Sequence, residues 1–325
     1  MSDIITMAHG SGGVETDALI RDVFSGHLGN DMLNRQEDGA VFDICGRVAY
    51  TTDSFVVTPT VFPGGNIGML SVCGTVNDLA MMGAQPRYIS AGFIIETGMP
   101  ICELQAIARS MGETARAAGV TIAAADTKVI EGTGGIYINT SGIGIIPEGR
   151  APHANKCRAG DVLIVSGNLG DHHACIMSAR MGIENDIKSD AAPLTKQVEA
   201  LYSAGVSPRA MRDVTRGGLG TVLNELANAS HCACTLFESA IPIASSTRAL
   251  CDILGLDPLY MGNEGTFITA VAPDESEKAL EVLKKFGNAA IIGEFCTGEH
   301  VRIRTEFGGV RVVPPLYGEG LPRIC

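Results

Sequence analysis

Between Pro147 and Asp161 the chain reads PEGRAPHANKCRAGD, a polar, turn-rich stretch without apolar periodicity. A segment of this kind offers no apolar face to bury and belongs at a surface. It therefore divides the chain into two halves that must each build a core. A length of 325 residues suits two domains of ordinary size. The expected boundaries are 1–150, 151–314 and a tail over 315–325.

Both halves alternate strand-like and helix-like stretches, so each is expected to mix α and β. Arg47–Val57 is β-branched and aromatic and reads as a strand running into a loop. Gly68–Ala84 is apolar at helical spacing. After Pro100, residues Ile101, Leu104, Ile107, Met111 and Ala115 fall on one helical face, and the pattern stops at Gly119. Val120–Ile130 reads as a strand with an acidic end, and Gly135–Ile146 as another. In the second half, Asp161–Gly167 and Ala289–Phe295 read as strands. Gly170–Gly182, Gly217–Ser230 and Asp274–Gly287 read as helices. The last of these is acidic at its start and basic at its end, as the helix dipole favours. Val301–Pro315 alternates around Gly308-Gly309, a hairpin signal. The tail beyond Pro315, extended at about 3.3 Å per residue, reaches roughly 30 Å.

A hydrophobic fraction of 46% against 18% charged residues indicates a globular chain. The net charge of −12 provides no basic field for phosphate backbones, so neither nucleic acid nor an anionic membrane is an expected partner. The apolar runs are broken by Gly, Asn, Asp and Pro, so no spanning helix is expected. MSDIITMAHGSGG lacks a basic region followed by an apolar core, so it does not read as a signal peptide and the cytoplasm is the expected compartment. In a reducing compartment the ten scattered cysteines are expected to be thiols.

Five aspartates stand where strands end or helices begin: Asp38, Asp53, Asp78, Asp126 and Asp213. Carboxylates at such ends can converge and suit Mg²⁺, which prefers hard oxygen ligands and often also holds phosphates. Each is equally placed to cap a helix or form a turn. Two glycine-rich stretches, His9–Gly13 and the GGLG opening at Gly217-Gly218, offer backbone N–H groups to an anion. Neither fits the Walker A or the dinucleotide-binding pattern. HCAC (His231–Cys234) and DHH (Asp171–His173) contain soft ligands, but neither has zinc spacing, and core packing accounts for them more simply. The chain also ends on a thiol, Cys325. Residue chemistry alone leaves open an ATP-dependent enzyme acting on a small metabolite, and a metal or sulfur carrier.

EDGAVF, TTDSFVVTP, GTVNDLAMMGAQP, DVTRGGLGTVLNE and GNEGT occur in this order. Together they resemble the ATP-dependent superfamily that includes aminoimidazole ribonucleotide synthetase, selenophosphate synthetase and thiamine-monophosphate kinase. With HGSGG near the start and PRIC at the end, the sequence is similar to the carbamoyl dehydratases of hydrogenase maturation.

The resemblance implies an N-terminal α/β domain that pairs with its twin through a β-barrel in a homodimer, followed by a C-terminal α/β sandwich and a mobile tail. It implies ATP as cosubstrate with Mg²⁺, bound in a cleft between the domains. Asp38, Asp53, Asp78 and Asp213 match the Mg²⁺–phosphate ligands. Asn77, Asp126, Gly10, Gly12, Gly13, Gly217 and Gly218 would lie near the nucleotide. Lys128 and Glu264 match positions that handle charge or protons during dehydration, and Cys325 matches the thiol that carries the carbamoyl group. The implied partners are the carbamoyltransferase HypF as donor and the HypC–HypD iron-scaffold complex as acceptor.

Overall fold

The computed structural model describes residues 4–35 and 39–316. Asp38 and Cys325 lie outside the described residues, as does the chain beyond Leu316. The chain forms two compact units. The first runs up to Leu79 and resumes over Ala84–Pro147; the second comprises Ala80–Gly83 and the chain from Glu148 onward.

The first unit contains α1 (Val14–Leu19), a π-helical stretch Ile20–Ser25, α2 (Gly26–Leu28), β1 (Arg47–Phe55) and the short pair β2 (Val61–Phe62) and β3 (Gly65–Asn66). Then come α3 (Ile67–Met81), β4 (Gln85–Glu96), α4 (Ile101–Ala118), β5 (Thr121–Ile130) and β6 (Ile136–Ile146). Four strands form one sheet in the order β1-β6-β4-β5, with only β4 and β5 parallel. α4 follows the sequence expectation. Leu104, Ile107, Met111 and Ala115 are buried, and each fully buried large side chain contributes about 2 kcal/mol.

Alternation along the strands gives the sheet one buried and one open face. Ala49 and Phe55 of β1, Phe93 and Ile95 of β4, and Ile136 and Ile138 of β6 are buried. Their neighbours Val48, Tyr50, Ile94 and Tyr137 are exposed on the opposite face, with Tyr50 at 67%.

The second unit contains β7 (Val162–Val165), α5 (Asp171–Met181), α6 (Thr195–Ser203), β8 (Ala210–Asp213), α7 (Gly218–Ser230) and β9 (Ala233–Phe237). It continues with α8 (Ser245–Leu254), β10 (Phe267–Val271), α9 (Ser276–Leu283), β11 (Ala290–Cys296), β12 (Val301–Arg304) and β13 (Val310–Val312). Seven strands form a sheet in the order β13-β12-β9-β11-β7-β10-β8, in which only β9 and β12 run parallel. Two clusters of buried side chains flank it, one including Leu219, Leu223 and Leu226 of α7, the other Val198 and Leu201 of α6. Arg150 of the turn-rich segment donates to Glu199 of α6 and stacks 4.2 Å from the Tyr202 ring centre.

Candidate active site

Two groups of the expected residues assemble, one in each unit. In the first unit Asp53 lies on β1 and Asp78 on α3, both on the helix side of the sheet. Thr51, two residues before Asp53 on the same face, donates from Oγ1 to Asp78 Oδ2 at 2.7 Å. Gly74, one turn earlier on α3, lies over the Phe55 ring and the Asp53 carboxylate. Asn77 is buried beside Asp78. The sequence allows this because α3 carries small residues, Gly74 and Thr75, where it crosses β1 and β6.

Asp126 and Lys128 take the other side of the same sheet. Across the ladder, Asp126 pairs with Gly92 and Lys128 with Ile94, whose side chain is on the open face. Asp53 instead stands opposite Thr140, a fully buried residue. The aspartates gathered from the sequence thus divide between the two faces. Lys128 Nζ lies 3.3 Å from Asp126 Oδ2, with both side chains 70% exposed. Such a pair is held loosely by screened charge and leaves the ammonium available to another anion.

The His9–Gly13 segment packs against β5. Gly10 meets Val129, the residue after Lys128. His9 is buried, its Nδ1 accepting from Thr6 N at 3.1 Å, so it fixes the turn. Gly12 N donates to Thr16 Oγ1, and Gly13 precedes α1. A cavity of about 870 Å³ opens between α1 and β5; Gly39, the residue after Asp38, and Asp126 both line it.

In the second unit Asp213 ends β8 and is paired with Phe267 at the start of β10. Glu264 lies in the loop that leads into β10. Val214 N donates to Thr266 O at 2.9 Å and Asn263 N donates to Val214 O at 2.8 Å, so the segments carrying Asp213 and Glu264 are bonded to each other. The Asn263 side chain is buried and donates to the carbonyls of Val214 and Met261 while accepting from Gly170 N. The same segment continues into the glycine-rich start of α7. Gly218 has φ +64°, and a Cβ there would lie 2.5 Å from the Tyr260 carbonyl carbon, so only glycine fits. N–H groups at this helix start suit an anion.

Cys234 of HCAC and both histidines of DHH lie in the core. Cys234 is buried in the core, and burial pushes its thiol pKa well above the ordinary value. The nearby Cys157 thiol is pushed up to about 11 for the same reason. Such thiols are poor ligands and nucleophiles. Among the described residues no three His, Cys, Asp or Glu side chains gather as a metal-binding group. His172 and His173 are buried on α5, where burial lowers their pKa to about 3 and about 4.

Sequence reasoning missed Asp190. It is half-buried in the loop between α5 and α6, and it accepts from Glu264 N, Gly265 N and Thr266 Oγ1, each at 3.0 Å. Its segment, IKSDAAPL, has no periodicity that separates it from a solvated turn.

Residues 36–146 match the family described as AIR synthase related protein, N-terminal domain, and residues 158–306 match the corresponding C-terminal domain. The chain is therefore an AIR synthase-related protein across both units. Within that class the chain belongs to the HypE family of carbamoyl dehydratases. It is 46% identical to the carbamoyl dehydratase HypE of Azotobacter vinelandii, over 99% of this chain and 97% of the relative. A crystal structure of hydrogenase maturation protein HypE in complex with ATP is 42% identical, with a TM-score of 0.94, covering 98% of this chain and 99% of that one. HypE from a HypE–HypF complex is 41% identical, with a TM-score of 0.80, covering 92% and 100%.

Proposed function

We propose that this enzyme uses ATP to dehydrate a carbamoyl group carried on Cys325, giving a protein-bound thiocyanate that supplies cyanide to the iron centre of a [NiFe]-hydrogenase. The observation that carries this reading is the full-length similarity to carbamoyl dehydratases, joined to a loop in which Asp213 and Glu264 share one hydrogen-bonded framework.

The balance is Cys–S–C(=O)NH₂ + ATP → Cys–S–C≡N + ADP + phosphate + H⁺. The carbamoyl oxygen attacks the γ-phosphorus, and the bond from that phosphorus to the β,γ-bridging oxygen breaks. The carbon–oxygen bond then breaks with phosphate as the leaving group, while nitrogen gives up its protons. Phosphorylation is needed because oxide or hydroxide is a poor leaving group.

The donor set fits magnesium. Asp53 and Asp78 offer hard carboxylate oxygens on adjacent elements of one unit, and Mg²⁺ commonly takes one or two carboxylates together with nucleotide phosphates. Asp213 and the sequence-matched Asp38 complete the proposed ligands. When bound, the ion neutralises charge on the phosphates. Asn77, Asp126 and the glycines Gly10, Gly12, Gly13, Gly217 and Gly218 are proposed to line the nucleotide. Lys128 steadies the charge that develops on the carbamoyl oxygen, and Glu264 accepts a proton from nitrogen.

The carbamoyl donor is HypF, a reading supported by the HypE–HypF structure among the relatives. The acceptor is the HypC–HypD complex, and the working form is a homodimer. Mass spectrometry of the C-terminal peptide tests the reading. A carbamoyl adduct should appear with HypF and lose water only when ATP is added. The Cys325→Ala variant should show neither change while still binding ATP. An equal ATP-dependent product from that variant overturns the proposal.

A further inference from the structure

We propose that Asp190 is the positioning residue for Glu264, its carboxylate holding the loop that presents the proton acceptor. The inference rests on the reading of Glu264 given above. The loop Asn263–Thr266 has no regular structure of its own, yet hydrogen bonds along its length fix it. Glu264 N and Gly265 N donate to the two oxygens of Asp190, and Thr266 Oγ1 donates to the second. Glu264 O accepts from Ala192 N at 3.4 Å, so both backbone groups of Glu264 are tied to the 190–192 segment. The two backbones also touch. A Cβ on residue 265 would lie 1.8 Å from Asp190 O, so glycine alone allows the approach.

Three donors converge on one group, and the two oxygens of an ionised carboxylate have the acceptor sites for all of them, the Thr266 hydroxyl also lying 3.2 Å from Asn168 O. Successive N–H groups aimed at one anion form a nest, and here the chain fills the nest with its own side chain. Asp190 is held in turn. Ser189 Oγ lies 2.7 Å from Nδ1 of His172, a neutral histidine buried on α5, and accepts from Ala191 N. The DHH stretch thus acquires a role: it anchors the segment that anchors Glu264.

A double-mutant cycle on the full-length protein, carbamoylated on Cys325 by HypF, tests this. Single-turnover thiocyanate formation, ATP affinity and the urea midpoint are measured for Asp190→Asn, Glu264→Gln and the double variant. Asparagine keeps the shape of the side chain but turns an NH₂ toward the donors. Asp190→Asn is expected to slow thiocyanate formation by about tenfold or more with ATP affinity unchanged. Added to Glu264→Gln it should slow the reaction no further, because two residues acting as a unit are non-additive. Thr266→Val, which removes one donor and keeps the branched shape, provides the same cycle if Asp190→Asn does not fold. Full turnover by Asp190→Asn, or additive losses in the double variant, overturns this inference and leaves the functional reading standing. Full turnover by Glu264→Gln alone overturns both.

Discussion

The buried His172 and His173 and the half-buried Asp190 respond to pH in opposite senses. Burial lowers the histidine pKa values from 6.5 to about 3 and about 4, with Arg180 adding to the effect on His173. A lowered folded value means that the unfolded chain binds the proton first, so stability present above pH 6.5 is lost as pH falls toward 4. Burial raises Asp190 from 3.8 to about 6, with Asp171 adding to it and its three donors opposing it. A raised folded value works the other way: that contribution is present below pH 3.8 and lost as pH rises through 6. Between pH 4 and 6 the two histidines outweigh the one aspartate by about one proton, so stability is expected to fall with acid by about 1.4 kcal/mol per pH unit from this group. His172→Gln should flatten the slope by about that amount, as read from urea denaturation between pH 4.5 and 7. An unchanged slope would show that His172 titrates normally. The sequence showed these residues as a DHH string and a lone aspartate. It could not show the pairing, since His172 and Ser189 are 17 residues apart in the chain and the intervening loop has no pattern that fixes its path.

At the scale of elements, legibility followed periodicity. α4 and α7 were readable because each is long enough for its apolar face to repeat, and α3 because its long run is apolar on nearly every side. The hairpin of β12 and β13 announced itself by Gly308-Gly309, and these strands pair as expected. β4 went unread, although it is the longest strand and sits inside its sheet. Pro86, Ser90 and Gly92 interrupt the β-branched pattern there, and tertiary packing overrides their weak propensity. β10 escaped because a short strand buried within a sheet lacks a polar alternation, and β8, at the sheet edge, because four residues are too few to show one. All five residues of β10 are buried. The short helices α6 and α8 gave too few turns to stand out. The carboxylates were legible singly, but the strand register that separates Asp53 from Asp126 was not, because a shift of one residue reverses the face. The start of α7 tests how firmly an element is set by one position. Gly218→Ala must place a Cβ against the Tyr260 backbone at a left-handed φ. It is expected to cost about 2 kcal/mol or more in urea denaturation, with weaker ATP binding because the N–H groups at the helix start shift.

The whole molecule presents a combination that neither composition nor element order explains. Its net charge is −12, which keeps like chains apart. Yet the open face of the four-stranded sheet exposes Val48 and Tyr50 on its edge strand β1, with Tyr137 and Ile94 on the next two strands. We propose that this apolar face is a contact surface, covered by the partner that the resemblance implies, a second copy of the same sheet. Pairing through this face would also put Asp126 and Lys128, which share it, beside the other subunit. If the dimer forms this way, the exposed Asp126–Lys128 pair would meet groups of the second subunit, which would give association a part in the proposed chemistry. The expected species in light scattering at micromolar concentration has twice the chain mass of 33.9 kDa. Tyr50→Arg adds like charges facing each other across the interface and is expected to yield a folded monomer, because the residue is exposed within its own chain. Turnover should fall with dimerisation, while the urea midpoint stays near that of the parent protein. A parent protein that is monomeric and fully active at that concentration would remove the dimer from the mechanism and leave the open face to another partner.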